Sequence, residues 1–170
     1  MTIRIFTTGG TFDKVYFDAL SEFKIGDPMV EALLTEANVN FDYAIESLFK
    51  KDSLEINDED RVLLREAVAN ASESKIMITH GTDTMVESAR ALEGIDDKTI
   101  VMFGAMQPAR MRYSDAMFNL GAASSAVQTL PAGIYIAMNG QIFDALKVTK
   151  NRAQSRFEPI APNQDTEHET

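Results

Sequence analysis

KIMITHGTDTMVESARALEGIDDKTIVMF, residues 75–103, decides the fold. Lys75–Thr79 and Thr99–Phe103 are short apolar runs of the buried-strand type. Between them, Thr82–Leu92 reads as a helix with polar residues at its start and Gly94 as its stop. Strand, helix and strand at this spacing predict one parallel βαβ unit with a right-handed crossover.

The pattern continues in both directions. Upstream, Ile3–Thr8 is a β-branched and aromatic run that meets Gly9-Gly10, a strand ending in a turn. Residues 9–27 form a long connection, a length that in a compact domain marks a functional or mobile segment. Pro28 opens a helix with Met29, Val30, Leu33 and Leu34 on one face. Phe41–Leu48 alternates like a strand. Asn57 or Asp58 caps a helix that runs through Ala71, with Val62, Leu63, Ala67 and Val68 as its apolar positions. Downstream come a helix over Ser114–Gln128, a strand over Gly133–Met138, and a final hairpin of Gln141–Phe143 with Leu146–Thr149. The expected architecture is a doubly wound, mostly parallel α/β sheet flanked by helices over residues 1–157. Residues 158–170 (EPIAPNQDTEHET) read as a flexible acidic tail.

Composition narrows the function. At 170 residues the chain holds about one domain. It has 16 Lys and Arg against 26 Asp and Glu, a formal charge of −10. That balance opposes broad binding to nucleic acid or to anionic membranes, which need a basic surface. The absence of Cys removes disulfides, Cys–zinc sites, iron–sulfur clusters and thiol nucleophiles, and fits a reducing compartment. The N-terminal MTIRIFTTGGTFDK shows no secretory leader. No apolar run approaches the roughly 20 residues of a membrane span. The expectation is a soluble, cytoplasmic protein.

The polar residues gather where an open α/β sheet binds ligands, at the C-terminal ends of its strands. The first strand runs into Thr7-Thr8-Gly9-Gly10-Thr11. The next apolar strand runs into Thr79-His80-Gly81-Thr82-Asp83-Thr84, and the one after it into Gly104-Ala105-Met106. Glycine lets a ligand approach the backbone. A helix starting at Thr82 would add free N–H donors suited to a carboxylate or an oxyanion. Each segment alone also reads as an ordinary turn or helix cap, and a lone strand-end lysine reads as solvent-exposed. Their convergence on one edge favours a site. The chain has no GxSxG elbow, only His80 and His168, no phosphate loop, no GxGxxG fingerprint and no clustered metal ligands. A hydroxyl nucleophile with a base other than His is what remains. Lys150, closing LKVTK, is a candidate base. His80 reads as structural.

TTGGT at 7–11 and ITHGTDT at 78–84 strongly resemble the bacterial-type asparaginase family, whose nucleophile is a threonine. VMFGAMQPA (101–109), SDAMFNL (114–120) and DALKVTK (144–150) resemble further blocks of that family, in the same order. The resemblance covers about residues 3–150. It implies hydrolysis of the side-chain amide of L-asparagine to aspartate and ammonia, without a cofactor or metal, often with weaker glutaminase activity. Thr11 matches the family's first threonine, Thr82 and Asp83 the second threonine and its aspartate, and Lys150 the active-site lysine. Ser53, in DSLEINDED, matches the substrate-binding serine, and Ala105 a position whose carbonyl faces the substrate amide. Gly10, Ser53, Gly81, Asp83 and Ala105 form the implied substrate-binding set. Tyr16 is the candidate lid tyrosine that would orient or deprotonate Thr11, at a spacing compressed relative to usual members.

The departures are also specific. Usual members carry a second α/β domain, and in many a glutamate from a neighbouring subunit's second domain contacts the substrate ammonium; neither has a counterpart in this sequence. Leu54 stands where many members have a polar residue, and Arg110 and Arg112 read as solvated charges. The expectation is an asparaginase domain working as a homo-oligomer. Two rivals stay open: a non-catalytic amino-acid-binding regulatory domain, and an ammonia-supplying amidase subunit of a transamidation complex.

Overall fold

A computed structural model describes residues 1–161. Along the chain β1 (Thr2–Gly9) leads through a 3-10 turn (Thr11–Asp13) into β2 (Lys14–Phe17) and β3 (Glu22–Ile25). Then come α1 (Val30–Glu36), β4 (Asp42–Lys51), a 3-10 turn (Ser53–Glu55), α2 (Asp58–Asn70), β5 (Lys75–Thr79) and α3 (Met85–Arg90). The chain continues with β6 (Thr99–Phe103), α4 (Ala116–Thr129), β7 (Gly133–Met138), β8 (Gln141–Asp144), β9 (Val148–Asn151) and β10 (Arg156–Pro159).

Six strands form one sheet in the order β4-β1-β5-β6-β7-β8. The first five pair in parallel, and β8 adds an antiparallel edge. The expected doubly wound α/β architecture is therefore the observed one. Side chains alternate across the sheet with the two-residue period of a strand. Ile76, Ile78, Ile100 and Met102 face one core with Leu64 and Val68 of α2 and Met85 of α3. Met77, Val101 and Phe103 face the other with Leu33 and Leu34 of α1 and Leu120 and Val127 of α4. A strand buried on both faces reads as a continuous apolar run, which is why the short runs are legible in sequence. From β1 the chain crosses to one side, to β4, and then returns past β1 to β5 on the other. The switch in strand order lies between β1 and β5, and ligands of such sheets bind at that point.

Several elements differ from expectation. The connection over 9–27 is not structureless, because β2 and β3 pair as an antiparallel hairpin. Its turn carries Ser21 in the left-handed region (φ 49°) with no glycine to advertise it. In α2 the buried positions are Leu64 and Val68, while Val62 and Leu63 are exposed. β8 folds back on β7 across Asn139-Gly140, and β9 pairs with β10, so the predicted hairpin of 141–143 with 146–149 does not form. The expected tail start at 158 falls inside β10, since Glu158 and Pro159 pair with Thr149 and Val148. Residues 162–170, including His168, lie outside the described residues.

Candidate active site

Two loops meet at the switch point, and their glycines set how closely. Gly10 has φ +78°, and a Cβ there would stand 2.5 Å from the Gly81 nitrogen and 2.6 Å from its Cα. A Cβ on Gly81 would stand 2.5 Å from the Ser53 Cβ and 2.8 Å from its Oγ. Only hydrogen at both positions lets the three loops stack. Thr11 follows Gly10 and Thr82 follows Gly81, so the stack carries both threonines and Ser53 to one edge of the sheet. Gly10 N–H also donates to the Lys51 carbonyl (2.9 Å), tying the first loop to the end of β4.

Thr82 is the centre of a charged relay. Lys150 Nζ donates to Thr82 Oγ1 at 2.7 Å and to Asp83 Oδ1 at 2.8 Å. The Lys150 side chain is only 14% exposed, so the isolated strand-end lysine points inward rather than into solvent. Thr82 Oγ1 in turn lies 3.8 Å from Met106 Sδ. Thr84 Oγ1 donates to the Ser53 carbonyl at 2.7 Å. The threonines of this loop thus bond sideways to other loops rather than starting a helix. α3 begins only at Met85 and spans six residues, so the helix start expected at Thr82 is displaced by a turn.

Beneath the relay, His80 is fully buried. Its Nδ1 lies 2.6 Å from the Gly81 carbonyl, which can only accept, so Nδ1 carries the proton. Nε2 then accepts from Ser88 Oγ (2.7 Å), which itself accepts from Arg61 Nε (3.3 Å). Burial lowers the His80 pKa to about 4, so the ring is neutral. All its nitrogens are used in holding the loop, in line with the structural role read from the sequence.

Ala105 sits buried in a second cradle. The Asp115 carboxylate accepts from Met106 N (2.9 Å) and Gln107 N (3.0 Å), and Asn119 Nδ2 donates to the Gly104 carbonyl (2.9 Å). Sequence reading missed these two supports, although an acidic residue just ahead of a helix is a recognisable signal.

The Thr11 loop is held differently. Asp13, 1% exposed, accepts the Met29 N–H on Oδ1 (2.9 Å), while its Oδ2 is buried without a partner. Desolvation raises the Asp13 pKa to about 6, against the opposing Met29 hydrogen bond and the charges of Arg110 and Lys50. Arg110, read as a solvated charge, instead donates to the carbonyls of Asp13 (2.9 Å) and Asp27 (3.1 Å). The Asp13 carbonyl also receives Gly26 N–H (2.8 Å), closing the base of the β2–β3 hairpin. Tyr16 lies on β2, 49% exposed, with its ring centroid 5.3 Å from that of Phe23. The structure thus brings Ser53, Thr82, Asp83 and Lys150 together through Gly10 and Gly81, and leaves Tyr16 on the exposed hairpin. Among the described residues no group of three or more His, Asp or Glu side chains is placed to hold a metal ion. No described helix is long and apolar enough to cross a membrane.

A family model described as the asparaginase N-terminal domain matches residues 2–164. The chain is 32% identical over 160 residues to a probable periplasmic L-asparaginase of Haemophilus influenzae, an alignment covering 87% of this chain and 46% of that protein. It is 31% identical over 160 residues to a glutaminase-asparaginase of Pseudomonas fluorescens, covering 86% and 44% respectively. It thus spans about half the length of these curated relatives. The thermostable L-asparaginase from Thermococcus kodakarensis superposes with a TM-score of 0.81 at 26% identity, covering 94% of this chain and 51% of that one.

Proposed function

The chain belongs to the asparaginase family, and from that premise we propose that it hydrolyses the side-chain amide of asparagine to aspartate and ammonia. The observation that supports this reading is the Lys150–Thr82–Asp83 relay, at 2.7 and 2.8 Å, on the loop whose Gly81 stacks against Gly10, the residue before Thr11. Thr11 Oγ attacks the amide carbon. The resulting tetrahedral species collapses with loss of ammonia to a Thr11 acyl-enzyme, which water hydrolyses to free the aspartate carboxylate. The proton leaving Thr11 passes through Tyr16 once the hairpin closes, and returns to the departing nitrogen. Thr82, held by Lys150 and Asp83, forms the second polar face of the site. Ser53 and the Gly81 backbone N–H bind the substrate carboxylate, and Asp83 faces its α-nitrogen. Donors aimed at the developing oxyanion are worth about 2.7–4 kcal/mol each in comparable hydrolases.

A cytoplasmic homo-oligomer completes the proposal. Zero Cys fits a reducing compartment. Phe17, Leu20 and Phe23, between 45% and 55% exposed, give the hairpin an apolar surface for a second copy. Ammonia release from millimolar L-asparagine by wild type, Thr11→Ala and Lys150→Met tests the reading. Wild type turns over, and Thr11→Ala loses activity by a factor on the order of 10³ or more. A silent wild type overturns the hydrolase, and an unimpaired Thr11→Ala overturns the nucleophile.

A further inference from the structure

Asp83 is not a free carboxylate. Lys150 Nζ reaches its Oδ1 at 2.8 Å, and Arg152 Nε lies 3.4 Å from the same oxygen. The two cations sit two residues apart as β9 ends, and both converge on this one group. Lys150 is nearly buried, whereas the Arg152 side chain is 66% exposed and stands on the solvent side of Asp83. Asp83 itself is 32% exposed. Together the three side chains carry one net positive charge at the mouth of the site. The other carboxylate beside Ser53 is engaged too, since Asp52 pairs with Lys14 Nζ at 3.2 Å. The residue after Ser53 is Leu54, an apolar side chain 66% exposed.

These surroundings suit a neutral α-nitrogen better than an α-ammonium. An ammonium approaching Asp83 must displace Arg152 or sit beside two like charges, and like charges at contact distance repel. An acylated α-nitrogen carries no charge and escapes that repulsion. We propose that Arg152 is a specificity-determining residue that biases the site toward asparagine whose α-nitrogen is acylated, as in an N-acyl asparagine or a peptide ending in asparagine, over the free amino acid. The inference rests on the proposed hydrolase reading for the placement of the substrate at Asp83. The bias is severalfold rather than absolute, because an ion pair this exposed is readily exchanged.

The test compares wild type, Arg152→Gln and Arg152→Lys. Calorimetry measures binding of L-aspartate and N-acetyl-L-aspartate, the two product forms, beside ammonia release from the corresponding amides. Wild type binds the acetylated ligand more tightly. Arg152→Gln tightens L-aspartate by about two- to fivefold and weakens N-acetyl-L-aspartate by a similar factor, the range expected for an exposed pair. Arg152→Lys keeps the wild-type order. A loss of structure would weaken both ligands together and could not produce this crossing. Equal affinities in wild type, movement of both ligands in one direction, or no binding of either ligand overturns the proposal. If the crossing appears but neither amide releases ammonia, the hydrolase reading fails and the selectivity stands.

Discussion

The two threonine loops of the site are built on opposite principles. The Thr82 loop is locked from every side: Lys150 and Asp83 above, Ser53 through Gly81 and Thr84, and the His80–Ser88–Arg61 chain below. The Thr11 loop is held at its base, by the Gly10 contact, by Phe12 buried edge-on against Phe103, and by the knot of Asp13, Gly26 and Arg110, with one ion pair beyond it from Lys14 to Asp52. Between Asp13 and Gly26 the chain leaves the body as a hairpin whose large apolar residues are about half exposed. Catalytic charge requires fixed distances, whereas substrate entry requires a segment that can open. Moving elements are drawn from the least stabilised parts of a fold. On the proposed function, the difference between the loops would put fixed geometry on one side of the substrate and motion on the other.

The largest test of this division is kinetic. Lys150→Met removes the donor to Thr82 and Asp83, and should lower ammonia release by about 10²–10⁴-fold, the usual range for an acid–base group. Tyr16→Phe, on the hairpin, should cost less in kcat and should raise KM, because it acts only once the hairpin has closed. Steady-state kinetics of both variants decides the matter. Equal losses in kcat would mean that the hairpin is as fixed as the relay.

A smaller effect should appear in stability. Gly81→Ala drives a Cβ into Ser53 and should destabilise by about 1–3 kcal/mol, as overpacking does. Gly10→Ala meets backbone atoms, and it also holds φ 78° and ψ −175°, a region essentially reserved for glycine. That strain adds about 1–3 kcal/mol more. Gly121→Ala is the control: nothing lies within 4 Å of its added Cβ in α4, so the helix should gain about 1 kcal/mol. Urea midpoints rank the three. If Gly10→Ala proved as mild as Gly121→Ala, the stack would not set the separation of the two loops.

What the sequence disclosed follows the same divide. β5 and β6 are buried runs whose apolar character serves packing, and β7 is buried over its second half, so they read directly. HGTDT and LKVTK were legible as candidate site residues only through their convergence on one sheet edge and their resemblance to family blocks, since each alone reads as an ordinary turn or an exposed strand end. The hairpin was illegible: KVYF and EFKI are short, their turn uses Ser21 rather than glycine, and neither strand joins the main sheet. The pairing of β8 with β7 was in principle readable, since Asn-Gly between two apolar runs is a strong hairpin signal. Asp13 and Arg152 could not be found by pattern, because their roles depend on partners 97 and 69 residues away, Arg110 for one and Asp83 for the other.

The finest distinction between the loops is electrostatic, since each is anchored by one buried titratable residue, with opposite pH dependence. Asp13 has its folded pKa raised to about 6 from 3.8. The folded state therefore holds a proton that the unfolded state has released, and the stability so conferred is present below pH 3.8 and lost as pH rises through 6. His80 has its folded pKa lowered to about 4 from 6.5. Its contribution is present above pH 6.5 and lost as pH falls through 4. In wild type the two slopes oppose each other over nearly the same window. Asp13→Asn removes one of them. An amide matches the neutral acid in shape, keeps an oxygen for Met29 N–H, and cannot ionise beside the unpartnered Oδ2 position. The variant should equal wild type near pH 4 and exceed it by up to about 3 kcal/mol above pH 6, the free energy of a shift of this size. Taking the difference between variant and wild type cancels every other titrating group. Urea unfolding at pH 4, 5.5 and 7 measures it, and a difference that does not grow with pH would show that the Asp13 carboxylate is solvated as the hairpin base opens. The Thr11 loop would then be looser at its foot as well as along its length, which sharpens the contrast with the Thr82 loop instead of erasing it.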